Sequence, residues 1–361
     1  MKSEVVSVPG KRTATSFRLL ASRMQKIETK IIRFSADERN PYAIEIAADT
    51  LRRGGLVAFP TETVYGLAAD ATNAAAVRKV FQAKGRPTDN PLIIHIADPS
   101  QLDELSHKVS PRGMELAARF WPGPLTLVVE RSDRVPKIVA GGLDTVGVRM
   151  PNHSIPLRLI RALERAIVGP SANTSGRPSP TTAQHVYTDL NGKIELILDA
   201  GPTAIGVEST VIDVTCDPPV ILRVGGLTRE TIEAAIGRVN VSGSEKQLRR
   251  SPGTQYRHYA PEARVALIKN GDVEQFEREL AEWRRRTKKI GCIVHTPNLA
   301  RLGESARVLV LPPEPEGFSR HLFSALRQLD EEGIEVILVE TVPEEGLGEA
   351  IMDRLRRAAA Q

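Results

Sequence analysis

Two stretches in which short apolar runs alternate with amphipathic helical patterns, parted by one stretch with neither, set what this chain can fold into. The first runs from Pro41 to about Val239. Ile44, Ala47, Ala48 and Leu51 fall at i, i+3, i+4 and i+7, with Pro41 near the first turn and Gly54-Gly55 as the stop, which predicts a helix. Further helical patterns cover Ala74 to Lys84, Pro111 to Phe120, Ile155 to Glu164 and Thr228 to Ile236. Strand patterns cover Leu56 to Pro60, Leu92 to Ala97, Leu125 to Glu130, Thr145 to Met150, Ile167 to Gly169, Glu195 to Asp199, Thr210 to Val214 and Val220 to Val224. The second stretch is cleaner. Strands at Val265 to Ile268, Ile290 to His295, Val308 to Leu311 and Val336 to Glu340 flank helices at Val273 to Arg286, Phe318 to Asp330 and Glu349 to Ala358. The expectation is an α/β protein of two domains. Residues 37–239 form the larger one, 240–262 a linker and 263–361 a smaller, doubly wound, Rossmann-like domain, behind an extension at 1–36. The smaller domain lacks the Gly-x-Gly-x-x-Gly turn, so no dinucleotide is assigned to it.

At 361 residues, a two-domain chain is the default. No apolar run reaches the length of a membrane span, and the polar, basic N-terminus has no signal-peptide core, so a cytoplasmic protein is expected. Met24 opens a segment that reads as a natural start, which makes residues 1–23 an expected extension or mis-assigned start. Cys216 and Cys292 lie too far apart in sequence for a metal-ligand cluster, and both read as buried. The net charge of +5 is small for a nucleic-acid binder of this size, and the run Arg284 to Lys289 reads as solvated helix-end charge.

The chemistry-bearing residues gather at strand ends of the first stretch. Lys84-Gly85-Arg86-Pro87 closes a helix just ahead of a strand, offering a compact ammonium and a planar guanidinium suited to phosphate or carboxylate. Taken alone, it reads first as a helix C-terminus with dipole-favoured cations, and its surroundings shift that reading. Thr61-Glu62-Thr63-Val64-Tyr65-Gly66 follows the first strand, and a polar turn is the plain alternative there. His95 and Arg149 interrupt apolar strands; a lone His there is usually a satisfied core residue, whereas a buried Arg must find an anion or carbonyls. Ser171-Ala172-Asn173, Gly206 to Thr210 and Arg223 repeat the theme. There is no Gly-x-x-x-x-Gly-Lys-Ser/Thr loop, His-Glu-x-x-His or Gly-x-Ser-x-Gly. Cations with hydroxyl donors and few carboxylates suit the binding and alignment of anions. The linker block Ser251-Pro252-Gly253-Thr254-Gln255-Tyr256-Arg257-His258-Tyr259-Ala260-Pro261 holds two of the five tyrosines, more hydrogen-bonding side chains than a solvated linker needs.

These blocks, with Trp121-Pro122-Gly123-Pro124-Leu125-Thr126, Val148-Arg149-Met150-Pro151 and Ser209-Thr210-Val211, resemble the threonylcarbamoyl-AMP synthase, or YrdC-like, family over roughly residues 36 to 240. The linker and C-terminal domain resemble its long, two-domain branch, in which the linker closes over the active site. Thr254-Gln255 stands where that branch has Met-Lys. The resemblance implies a twisted mixed-sheet YrdC-like domain and synthesis of threonylcarbamoyl-AMP from L-threonine, bicarbonate and ATP, with Mg2+ bridging the phosphates. It further implies a separate transferase complex that passes the group to tRNA. It places Thr63, His95, Arg149, Ser171 and Ser209 on threonine, with Arg149 on the carboxylate. Arg86, Asn90, Thr145, Asn173, Ser179, Arg223 and Tyr259 fall on ATP, and Lys84 and Arg86 on the reacting charges; neighbours such as Thr61 and Thr181 are interchangeable candidates. Two rivals stand beside it. One is a double-stranded RNA or tRNA-binding module without adenylate chemistry. The other, the carbamoyl-transfer domain of hydrogenase maturation proteins, requires cysteine-rich zinc segments that two isolated cysteines do not supply.

Overall fold

A computed structural model describes residues 27–34, 40–242, 244–253, 258–302 and 306–360. Met24 and the pair Thr254-Gln255 lie outside the described residues. Among those described, the strands of the first sheet are β1 (Lys30–Arg33), β2 (Val57–Phe59), β3 (Gly66–Asp70), β4 (Ile93–His95), β5 (Leu125–Glu130), β6 (Thr145–Arg149), β7 (Ile167–Val168), β8 (Leu196–Asp199), β9 (Thr210–Asp213), β10 (Val220–Arg223) and β11 (Asn240–Val241). They pair in the order β1-β8-β2-β3-β7-β4-β6-β5-β9-β10-β11. The sheet is mixed: β4 runs parallel to β6 and β5 to β9, while β5 and β6 are antiparallel.

Both faces are covered. Helices Pro41–Arg52 and Ser154–Leu163 bury Ile44, Ala48, Leu51, Ile155 and Leu159 against one face. Helices Ala74–Lys84 and Pro111–Phe120 bury Val77, Val80, Phe81 and Leu116 against the other. The Asn73 side chain caps the helix Ala74–Lys84, and Gly85 ends it at φ 61°, a left-handed conformation that costs a glycine nothing. Just past that cap the Arg86 amide donates back to Phe81 O at 2.9 Å, closing the turn out of the helix.

Sequence periodicity misses β1, β3 and β11, each for a physical reason. β1 is mostly exposed and pairs through its backbone with β8. The sequence Gly-Leu-Ala-Ala-Asp of β3 has weak strand preference and is fixed by antiparallel neighbours on both sides. The two exposed residues of β11 pair with β10. The sheet therefore reaches into the stretches read as extension and linker, and a short helix, Glu245–Leu248, also lies in the latter.

The second sheet, β12 (Arg264–Ile268), β13 (Ile290–Val294), β14 (Arg307–Val310) and β15 (Val336–Glu340), is all parallel in the order β12-β15-β13-β14. Helix Val273–Arg284 packs on one face through Phe276 and Leu280. Helices Pro315–Glu331 and Leu347–Ala359 pack on the other through Phe318, Leu322, Ile351 and Leu355. This is the expected doubly wound arrangement. The latter two helices also meet the first domain, where Ser319 Oγ donates to Ile205 O and Arg320 Nε to Ala204 O. Cys292 is buried as expected, but Cys216 is half-buried. No described helix is long and apolar enough to cross a membrane.

Candidate active site

Register places the first pair of polar residues. In the parallel pairing of β4 with β6, His95 lies opposite Arg149 at the C-terminal ends of both strands, and β7 sets Ile167 on the other side of His95. Arg149 is buried and tightly held. Its Nε donates to Gly123 O at 3.2 Å, Nη1 to Thr63 Oγ1 at 3.0 Å, and Nη2 lies 2.7 Å from the Glu62 carboxylate. Thr61 in turn contacts Thr63 Oγ1 at 2.8 Å and accepts from the Thr63 and Val64 amides, so a hydroxyl turn fixes this corner. His95 packs edge-on against Phe59, and its Nδ1 is buried without a partner. Burial, then the neighbouring Arg149, lowers its pKa to about 3, so the ring is neutral.

A second wall is the loop after β7. Lys84 is almost fully buried, and its Nζ donates to the carbonyls of Ser171 and Asn173, both at 2.5 Å. Burial, then Arg86, pushes its pKa well below the ordinary lysine range. Ser171 Oγ donates to Asn173 Oδ1, and Asn173 Nδ2 donates to the carbonyls of Thr174 and Arg177. Arg86 is aimed by its own loop, with Nε donating to Asn90 O and Nη2 to Asn90 Oδ1 and Pro91 O.

The third wall comes from β9 and β10. Arg223 Nε and Nη2 donate to Ser209 O, and Ser209 Oγ meets Thr126 Oγ1 at 2.8 Å. Ser179 Oγ donates to Glu208, whose other oxygen accepts from Arg354 of the C-terminal domain at 2.8 Å. Burial raises the Glu208 pKa, but Arg354 and then Arg223 outweigh it and hold the carboxyl below its usual range.

The strap joining the domains closes the space. Arg223 Nη1 donates to Pro252 O, and the Ala260 amide donates to Gly176 O. His258 is lowered to about 3 by burial and then by Arg86, Lys84, Arg223 and Arg357. The Tyr259 ring stacks on Phe323 and lies under the Arg354 guanidinium. What remains is a small, partly open cavity of about 50 Å3. Pro252, Gly253, His258 and Tyr259 of the strap form one wall of it, so the strap bounds whatever binds there.

Of the residues expected from sequence, Thr63, Arg86, His95, Arg149, Ser171, Asn173, Ser179, Ser209, Arg223 and Tyr259 line this cavity. Lys84 and Asn90 stand behind the lining and brace it. Thr145 does not line it: it sits at the opposite end of β6 from Arg149, half-exposed and across from Glu130. Thr181 points instead toward His185 and Ser324. Arg177 lines the cavity without having been named, and Glu208 and His258 line it as well, each named within a block but given no role. Glu208 and His258 were within reach, each adjoining a chosen residue. Arg354 had a signal too: it interrupts the apolar stripe Ile351, Leu355 and Ala358 of its helix, where a charge needs a buried partner.

The chemistry on offer is that of an anion trap, with arginines at two strand ends and in one helix-to-strand loop, hydroxyl donors between them, and both cavity histidines kept neutral by burial first and then by the surrounding cations. Residues 49–225 match the family described as "Telomere recombination" (Sua5/YciO/YrdC), and 227–360 match the "Threonylcarbamoyl-AMP synthase, C-terminal domain" family. The threonylcarbamoyl-AMP synthase of Pyrococcus abyssi is 50% identical over 326 residues, spanning 88% of this chain and 94% of that protein. That of Bacillus subtilis is 44% identical over 328 residues, 89% and 94% of the two chains. The crystal structure of P. abyssi Sua5 complexed with L-threonine superposes with a TM-score of 0.86 at 48% identity, covering 92% of this chain and 97% of that one. With arginine-rich strand ends under an interdomain strap and relatives this similar along both domains, the chain belongs to the threonylcarbamoyl-AMP synthase family of nucleotidyltransferase-type enzymes.

Proposed function

We propose that this chain makes threonylcarbamoyl-AMP from L-threonine, bicarbonate or its CO2 equivalent, and ATP, releasing pyrophosphate. The observation that carries the reading is the convergence of Arg86, Arg149 and Arg223 on one strap-covered cavity whose histidines stay neutral. Threonine would lie by the Thr63, His95 and Arg149 corner, its carboxylate on Arg149, with Ser171 and Ser209 beside it. The relative solved with L-threonine supports that choice of amino acid. The triphosphate would lie toward Arg86, Asn173, Ser179 and Arg223, under Tyr259.

The threonine amine attacks the CO2 carbon, forming an N–C bond and losing a proton to give a carbamate. A carbamate oxygen then attacks the α-phosphorus in line, and the α–β anhydride bond breaks to expel pyrophosphate. Both steps gather negative charge, which the arginines are already oriented to receive. Holding the carbamate against the phosphate can supply about 7–11 kcal/mol. Lys84 acts by fixing the Ser171 and Asn173 carbonyls, and Asn90 by aiming Arg86. Mg2+ would arrive on the ATP phosphates and neutralise them, since Glu208, the carboxylate of the lining, is already engaged by Arg354 and Ser179. In the cytoplasm, a separate transferase complex would consume the product to modify tRNA.

Pyrophosphate release with ATP, Mg2+, L-threonine and bicarbonate, each left out in turn, tests the reading. Release that needs all four supports it. Release indifferent to threonine would leave an ATP-using protein of another acceptor, and folded, ATP-binding protein with no turnover would favour the RNA-binding module.

A further inference from the structure

The C-terminal domain carries no ligand motif, yet it places one buried guanidinium against the active site. Arg354, 1% exposed, leaves helix Leu347–Ala359 and crosses to the first domain. Its Nε donates to Glu208 Oε2 at 2.8 Å and its Nη2 to Val224 O at 2.9 Å, and Asp353 holds Nη1 from its own helix. Its planar face lies 5.0 Å from the centre of the Tyr259 ring, and that ring also stacks, at 5.6 Å, on Phe323 of helix Pro315–Glu331. We propose that Arg354 is a positioning residue through which the C-terminal domain sets both the charge and the closure of the nucleotide site.

The charge argument rests on the ATP reading above. Glu208 lines the cavity, and a bare carboxylate there would repel a triphosphate. Arg354 cancels it from outside the cavity, leaving Arg86 and Arg223 to act on the ligand. The closure argument does not need ATP. Tyr259 has φ 65°, a conformation unfavourable for a bulky side chain, so the strap needs something to hold it there. Its ring is gripped by Arg354 and Phe323, both from the C-terminal domain, with Gly253 beneath its hydroxyl. A lysine in place of Arg354 could keep the charge but would lose the planar face and the second donor to Val224.

Full-length Arg354→Met, Arg354→Lys and Arg354→Met/Glu208→Gln proteins test both halves. Pyrophosphate release gives ATP KM and kcat, and hydrogen exchange without substrate reads the strap at residues 258–262. Arg354→Met is expected to raise the ATP KM at least about tenfold, the cost of about 1.4 kcal/mol of lost binding. Adding Glu208→Gln should return most of it. Both Arg354→Met and Arg354→Lys should speed exchange in the strap, with the smaller KM change in the lysine variant. Wild-type KM and strap protection in Arg354→Met would overturn the proposal, and a KM rise that Glu208→Gln does not relieve would overturn its charge half. Should Arg354→Met fail to fold, Tyr259→Leu removes the ring alone, and unchanged strap protection there would overturn the closure half. A wild-type protein releasing no pyrophosphate would remove the ATP reading while the exchange result still decides closure.

Discussion

At the scale of single residues, the site is a set of cations held ready by neutral oxygens and one carboxylate. Arg149 spends its donors on Gly123, Thr63 and Glu62, so it cannot swing away when a carboxylate arrives. Arg149→Met should raise the threonine KM about a hundredfold or more and leave the ATP KM nearly unchanged; it should also destabilise the fold by about 3–5 kcal/mol, because Glu62 is left buried and unpaired. Steady-state kinetics and denaturant melts read the two effects separately. Lys84 is the sharper case, since it reaches two backbone carbonyls and not the cavity itself. Lys84→Met is expected to lower kcat by loosening the Ser171–Asn173 loop while the protein stays folded, and turnover at the wild-type rate in the purified variant would remove it from the mechanism.

At the scale of elements, the strap decides whether the site exists. His258 has its pKa lowered to about 3 when the strap is shut, against about 6.5 for a free imidazole. An open strap therefore takes up a proton before a closed one does, and closure is favoured fully above about pH 6.5 and lost as the pH falls toward 3. Exchange in residues 258–262 should rise as pH drops through that window, after correction for the intrinsic rate, and His258→Asn should flatten the rise. Gly253 has φ 85°, and a Cβ there would stand 2.7 Å from the Tyr259 hydroxyl. Gly253→Ala should cost about 1–2 kcal/mol locally, mostly as an opened strap and a higher ATP KM, with the global melting temperature little moved.

This is also the level at which the sequence was most and least legible. Helices Ala74–Lys84 and Pro111–Phe120 and strands β5 and β15 carry periodicity and caps in their own residues, so their ends can be read directly. Strand β3 cannot, because its alanines become a strand only between β2 and β7. His95 and Arg149 stood out as polar intrusions in apolar runs, and register then made them neighbours. Thr145 shares a strand with Arg149, but the strand carries it to the far end of the sheet. Glu208 and Arg354 are coupled across about 146 positions of sequence, and neither residue alone announces the other.

At the scale of the whole molecule, two α/β domains share one buried surface, with Val64 of the first domain and Tyr259 of the strap packed in the core of the second. Arg327 reinforces it, donating to Asp189 and Pro178 O from a fully buried position. Domain, strap and site are thus packed together as one unit. The central claim is that this unit joins a carbamate to the α-phosphate. Mass analysis of the adenylate made from ATP, isotope-labelled bicarbonate and isotope-labelled L-threonine addresses it most directly. The proposed chemistry predicts an AMP conjugate carrying both labels, with one labelled carbon from bicarbonate. An adenylate with the threonine label alone, formed through threonine's own carboxylate, would contradict it.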